Sequence, residues 1–277
     1  MTQPEIPSRE YVLGNSAHEQ ERLKLQASIV GRWTENYLIA AGLDRGMKVL
    51  DLGTGMGDVA LLAAEIVGPS GSVTGIDRDG TVLAKAGERA TAQGHSAPVT
   101  LIHSDLAGFR PETHFDAVIG RYVLLYQPDP AKALVDAAAL LRPGGLMCFH
   151  EMAFGSPAKS YPESSLFGTM LTLVGDVFRR VGINPDMGLL LAKAFADAGL
   201  SRPTIKADVP LGGEAGAYIY GWGADTVKSL LPVIEKLGLG TAQDIQIETL
   251  AQRMEEEAVA NHSELLGPIQ FGAWLKK

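Results

Sequence analysis

Three glycines and two acids stand together where a nucleotide could be held. They lie in VLDLGTGMGDVALLAAEIVGPSGSVTGIDRD, residues 49–79. Gly53, Gly55 and Gly57 follow an apolar run and open a helix-like segment. Backbone N–H groups at such a helix start can meet a polar or anionic ligand, and glycine lets the ligand come close. A dinucleotide fingerprint asks for glycine at the first, third and sixth places. Counted from Gly53, the sixth place is Asp58. Counted from Gly55, the pattern Gly55, Gly57, Ala60 begins too far past the strand. Asp51, two places before Gly53, would repel a pyrophosphate and welcome an ammonium group. The ligand that fits has a nucleoside, a cationic end and no phosphate. The plain alternatives are a tight turn for the glycines and a helix-capping acid for Asp51.

A second pair of residues could carry proton chemistry. His150 and Glu151 stand together at the end of LMCFHEM, an apolar run that reads as a strand. An imidazole there can deprotonate a phenol or hydroxyl near neutral pH. Glu151 could orient it or hold a cationic amine. The competing reading makes both ordinary polar residues of a strand end. His95 and His114 fall in expected surface loops, and His18 lies in the N-terminal segment.

These residues need a frame, and the pattern from residue 46 onward supplies one. MKVLDLG, GSVTGID, VTLIHSD, FDAVIGRYVLLY and LMCFHEM read as strands. DVALLAAEIVG, GTVLAKAGERATAQG and DPAKALVDAAALLRPGG read as helices between them. Strict alternation of this kind implies a parallel sheet with helices on both faces. The expected fold is α/β, a Rossmann-like doubly wound, seven-stranded, mostly parallel sheet with helical cap segments. The expected organisation is an N-terminal helical cap at 1–45, a nucleotide-binding core at 46–153 and an insertion of short helices at 154–185. A core helix and strand follow at 186–212, a helical lid at 213–265 and a last core strand at 266–277. Within the lid, TAQDIQIETLAQRMEEEAVANHS is the clearest helical stretch, with Ile245, Leu250 and Met254 on its apolar side.

Composition narrows the function classes. The chain has 277 residues and a net charge of −8, which speaks against a nucleic-acid partner. Cys148 is the single cysteine, so neither an internal disulfide nor a cysteine metal cluster is available. No close His/Asp/Glu set has ligand spacing, so no metal is expected. The N-terminal MTQPEIPSRE shows no secretory pattern. No apolar stretch reaches the roughly 18 residues of a membrane span. A cytoplasmic protein without membrane partners is expected.

Asp51-Leu-Gly-Thr-Gly-Met-Gly57 resembles the D-x-G-x-G-x-G motif of class I S-adenosylmethionine-dependent methyltransferases at every defined place. Asp77 stands where that family's acid holds both ribose hydroxyls, as a carboxylate with two acceptor oxygens can. HSD at 103–105 resembles the end of strand three, where an acid meets the adenine amino group, pointing to Asp105 with Leu106 beside it. FDAVIGRYVLLYQPDP resembles strand four, and LLRPGGLMCFHE the turn before strand five. The resemblance covers residues 47–152. It implies S-adenosylmethionine as cofactor, with Asp51, Gly53, Thr54, Gly55, Gly57, Asp77, Arg78, Asp105, Leu106, Gly120 and Arg121 around it. Arg78 would flank the adenine, and Arg121 would pair with the methionine carboxylate, unless it forms a structural ion pair. Asp105 could equally cap the next helix. The N-terminal segment folds over the site in similar enzymes, which adds Tyr11 to the cofactor contacts; YVLGNSAHEQERLKLQA and GRYVLLYQPDP together resemble a bacterial subgroup acting on small molecules in secondary metabolism.

The expected reaction is methyl transfer to a small, mostly apolar or aromatic acceptor. O-methylation comes first because of His150, with N- and C-methylation behind it. The acceptor's surroundings are read from Tyr11, Tyr126, Phe154, Tyr161, Phe167, Met170, Phe178, Tyr218, Tyr220 and Trp222. They would line an apolar pocket, or simply pack a core. A protein that binds the cofactor without chemistry is a second class. A nicotinamide oxidoreductase is a third, disfavoured by Asp51 and Asp58. The N-terminal helices could be exchanged between the subunits of a homodimer.

Overall fold

In a computed structural model, residues 30–156 and 159–277 are described. Tyr11 and His18 therefore lie outside the described residues. The chain divides into two compact units. One contains 30–153, 186–208 and 270–277, and the other contains 154–156, 159–185 and 209–269.

In the first unit, helix α1 runs through residues 30–41. The alternation then follows as read: β1 (Lys48–Leu52), α2 (Asp58–Val67), β2 (Ser72–Asp77), α3 (Gly80–Gln93), β3 (Val99–His103) and β4 (Phe115–Arg121). A 3₁₀ turn at Leu124–Tyr126 precedes α4 (Pro130–Ala139) and β5 (Leu141–Ala153). Further along come α6 (Met187–Asp197), β7 (Thr204–Asp208) and β10 (Ile269–Lys276), numbered in chain order. The seven strands lie in the order β3-β2-β1-β4-β5-β10-β7. β1 pairs in parallel with both β2 and β4, while β7 and β10 pair antiparallel. Four of the five β1 residues are buried, as expected of a strand covered on both faces. The strand order reverses between β1 and β4. In open α/β sheets that reversal opens a crevice at the carboxyl ends of the strands, where ligands bind.

The N-terminal cap expected over 1–45 is revised where it can be seen. Tyr37, Leu38 and Ala41 of α1 are buried in the same core cluster as Val49, Ile119 and Cys148. Helix α1 is thus a layer of the sheet unit.

The second unit holds β6 (Ser160–Tyr161), α5 (Ser165–Arg180), β8 (Leu211–Gly212), α7 (Tyr218–Lys236), α8 (Ala242–Ile245), α9 (Leu250–Asn261) and β9 (Glu264–Leu266). Helix α5 is one 16-residue helix rather than several short ones. The 242–261 stretch is broken, because Gln246 takes a left-handed φ of 52° between α8 and α9. Strands β8 and β9 pair with each other, and β9 with β6, in a small antiparallel sheet that the sequence pattern did not reveal. Phe154, Phe167, Met170, Phe178 and Tyr220 are buried, so the packing reading holds for them, while Tyr161 is exposed. No helix among the described residues is long and apolar enough to cross a membrane.

Candidate cofactor site at the glycine loop

The loop after β1 is built from left-handed backbone. Gly53, Gly55 and Gly57 have φ of 60°, 53° and 81°, which glycine adopts without a Cβ penalty. The loop is tied to the neighbouring strand: the Thr54 N–H donates to the Ile76 carbonyl at 2.9 Å. Asp77, at the end of β2, accepts from the Gly55 N–H through Oδ2 (2.9 Å) and from the Asp79 N–H through Oδ1 (3.0 Å). Each carboxylate oxygen keeps a second acceptor site for a ligand hydroxyl. Asp77 therefore sets the loop's shape as well as offering acceptors at its edge.

Asp51 is 1% exposed, and neither of its carboxylate oxygens has a hydrogen-bond partner among the described residues. The buried Thr54 hydroxyl is also unpartnered. Burial pushes the Asp51 pKa up to about 7, while the nearby Thr54 hydroxyl and the Arg121 guanidinium pull it down. Buried polar groups without partners are rare in folded proteins and call for an explanation. A cationic, hydrogen-bond-donating ligand group supplies one. The ammonium of S-adenosylmethionine fits this donor-poor, anionic corner.

Arg121 takes the second of its two expected readings, a structural ion pair. Its guanidinium lies 3.4 Å from Asp58 Oδ2 and 3.4 Å from the Thr34 hydroxyl of α1. Asp58 is also held by Arg89 at 2.8 Å, and Arg89 donates to the Met56 carbonyl in the glycine loop at 2.7 Å. Arg121 thus has a structural ion pair, the competing reading for it. The same pairing alters one argument against a pyrophosphate: Asp58 is neutralised by two arginines. Asp51 is the acid that bears on ligand charge.

His150 is 2% exposed, and both ring nitrogens are occupied. Nδ1 lies 2.9 Å from the Thr34 hydroxyl, and Nε2 lies 3.1 Å from Gln270 Oε1. Tyr37 packs edge-on against the ring, with centroids 4.9 Å apart. Burial, with Arg121 nearby, pushes the His150 pKa down to about 3. An imidazole held this way is neutral and has no nitrogen to offer an acceptor, so the arrangement does not support the general-base expectation. Glu151 is fully buried. Its Oε1 accepts from the Val123 N–H (2.9 Å) and the Leu124 N–H (2.7 Å). Burial raises its pKa to about 8. Its visible role is to cap the turn after β4.

The remaining candidates are scattered along the same edge. Asp105 is exposed and accepts from the Gly108 N–H at 2.5 Å, so it caps a turn and not a helix. Leu106 is half-buried beside it, and Arg78 is exposed after β2. Gly120 is the last residue but one of β4, and a Cβ there would come within 3.1 Å of Val123 Cγ2 and 3.2 Å of Phe149 Cε1. Thr34, Tyr37, Tyr122 and Gln270 were not singled out by sequence, although they form the polar shell around His150. Only the fold brings 34, 122, 150 and 270 together.

A family model described as a methyltransferase domain matches residues 43–171. The ubiquinone/menaquinone biosynthesis C-methyltransferase of Ectopseudomonas mendocina is 30% identical over 185 residues, 62% of this chain and 72% of that protein. The aklanonic acid methyltransferase of a Streptomyces species is 36% identical over 110 residues, 39% of this chain and 50% of that protein. The structure of Haemonchus contortus phosphoethanolamine N-methyltransferase 2, in complex with phosphomonomethylethanolamine and S-adenosylhomocysteine, superposes with a TM-score of 0.54. It is 18% identical, covers 88% of this chain and 52% of that one, and is similar in fold.

Proposed function

This chain belongs to the class I S-adenosylmethionine-dependent methyltransferases, and from that premise we propose that its acceptor is a small, mostly apolar or aromatic molecule that reacts without a side-chain base at His150. Bound S-adenosylmethionine supplies a methyl group activated by its sulfonium, and the protein supplies orientation and electrostatics. The residues divide that work. Asp51 and Thr54 hold the ammonium, and Asp77 takes the ribose hydroxyls. The backbone of Gly53, Gly55 and Gly57 lies under the methionine part, with Gly120 opposite. Asp105, Leu106 and Arg78 flank the adenine. Holding nucleophile and methyl in line is worth several kcal/mol of barrier, about 7–11 in well-oriented cases.

The observation that carries this reading is the occupied, neutral His150. O-methylation with His150 as base is not what a buried ring with partners at both nitrogens supports. The acceptor must bring its own nucleophile, such as an electron-rich ring carbon, an acidic phenol or an enol. The names of the relatives support an aromatic acceptor of this kind: one acts in quinone biosynthesis and another on aklanonic acid.

The test begins with equilibrium titration by S-adenosylmethionine, S-adenosylhomocysteine and NAD, followed by a methyl-donor assay against quinols, acidic phenols, enols, amines and aliphatic alcohols. Turnover should be confined to quinols, phenols and enols. His150→Gln should melt at a lower temperature yet keep the pH profile of kcat. Turnover on unactivated alcohols alone, or a kcat loss of ~100-fold in His150→Gln with unchanged cofactor affinity, would restore a base at this position.

A further inference from the structure

β4 leaves the sheet at Arg121, and the chain then turns sharply. Tyr122 is held at a φ of 55°. Its N–H donates to the His150 carbonyl at 2.8 Å, and its hydroxyl lies 2.5 Å from Gln270 Oε1. A non-glycine residue in this region costs about 1–3 kcal/mol and persists only where its surroundings over-determine it. The next two amides are where that happens. The Val123 and Leu124 N–H groups both end on Oε1 of the fully buried Glu151, one strand away.

The consequence lies on the Val123 side chain. A Cβ built on Gly53 would meet Val123 Cγ2 at 3.1 Å, and one built on Gly120 would meet the same methyl at 3.1 Å. Two glycines, one after β1 and one near the end of β4, leave room for a single methyl group. Gly53 itself lies between Asp51 and Thr54, whose buried polar atoms are unpartnered. Val123 therefore forms a wall of the corner assigned to the methionine end, and its amide is held by Oε1 of Glu151, whose buried Oε2 has no hydrogen-bond partner.

We propose that Glu151 is a positioning residue for the cofactor: by holding the Val123 and Leu124 amides, it seats Val123 against Gly53 and Gly120 and fixes the shape of the glycine loop. The inference rests on the cofactor site assigned above. At neutral pH burial keeps Glu151 largely protonated, so glutamine reproduces both its charge and its accepting oxygen. Leucine keeps the bulk and removes the acceptor, leaving two buried amides unpaired.

Four variants decide the matter, read as the Kd for S-adenosylhomocysteine and as KM for S-adenosylmethionine against kcat. Glu151→Leu and Val123→Ala should each raise Kd and KM about tenfold, with a smaller effect on kcat. The double variant should add little, because both changes act through one contact. Glu151→Gln should bring Kd back to within about threefold of the unaltered protein. A large kcat loss in Glu151→Gln with unchanged Kd would overturn the proposal in favour of proton transfer by Glu151. Multiplicative effects of Glu151→Leu and Val123→Ala would overturn it too. If Glu151→Leu does not fold, Val123→Ala still decides, since an unchanged Kd there sinks the idea. Asp77→Ala serves as the control. If it weakens binding while Val123→Ala does not, the positioning role fails alone; if neither weakens it, the cofactor site is misassigned.

Discussion

Asp51 shows how one residue can be costly to the fold and useful to the site. Its carboxylate is buried among groups that give it no hydrogen bond, and burial raises its pKa to about 7. Its ordinary value of 3.8 applies to the unfolded chain. The folded state therefore favours the proton, and ionising Asp51 as pH rises from 4 to 7 removes stability. A ligand ammonium reverses the preference, because it pairs with the charged form. Asp51→Asn should thus stabilise the cofactor-free protein above pH 7, by roughly 5 °C in Tm. The same variant should weaken S-adenosylhomocysteine about tenfold or more and flatten the rise in affinity between pH 6 and 8. Calorimetry across that range and a melting curve at pH 8 read both effects. Unchanged affinity with a lower Tm would remove Asp51 from the site.

Among the elements, α1 has the clearest dependence on a single position elsewhere in the chain. A Cβ at Gly272 of β10 would lie 2.6 Å from Cδ2 and 2.7 Å from Cδ1 of the Tyr37 ring. The missing side chain lets Tyr37 lie flush on the strand, and its hydroxyl then donates to Asp208 of β7 at 2.7 Å. Thr34, one turn earlier, reaches His150. Gly272→Ala should destabilise the protein by about 1–3 kcal/mol, the usual cost of overpacking. Urea unfolding measures it. A change below ~0.5 kcal/mol would mean that α1 shifts freely on the sheet. Helix boundaries elsewhere were less legible. The polar, charged 242–261 stretch reads as one helix, yet a left-handed residue at Gln246 divides it, and no glycine marks that position.

For the whole molecule, among the described residues, pH dependence between about pH 3 and 8 is set by three buried titratable groups with opposing effects. Asp51 and Glu151 are raised to about 7 and about 8, so both favour the folded state more as pH falls through those values. His150 is lowered to about 3 from 6.5, so its contribution is present above 6.5 and is lost as pH falls towards 3. Between pH 8 and 6.5 only the two acids act, and they act in the same direction. The cofactor-free protein should therefore melt higher at pH 6.5 than at pH 8, by several degrees. Glu151→Gln should remove the upper part of that slope. A Tm that rises from pH 6.5 to 8 would show that these groups are hydrated in solution. Below pH 6.5 the histidine opposes the acids and the curve should flatten.

What the sequence determined by itself was local or repetitive: the β–α alternation, the glycines that must take positive φ, and Asp51 and Asp77 beside them. Those signals are short-range, because a turn type or a strand–turn–helix unit is written in consecutive residues. The use of each polar side chain was decided by the tertiary structure. Asp58 and Arg121 are 63 positions apart, and His150 and Thr34 are 116 apart, yet each pair meets. His150 and Glu151, adjacent in the chain, face different partners because successive residues of a strand point to opposite sides. The histidine is closed in by α1 and β10, and the glutamate holds the turn after β4. Residue type made a base plausible at that strand end, and burial with hydrogen bonds at both ring nitrogens speaks against it.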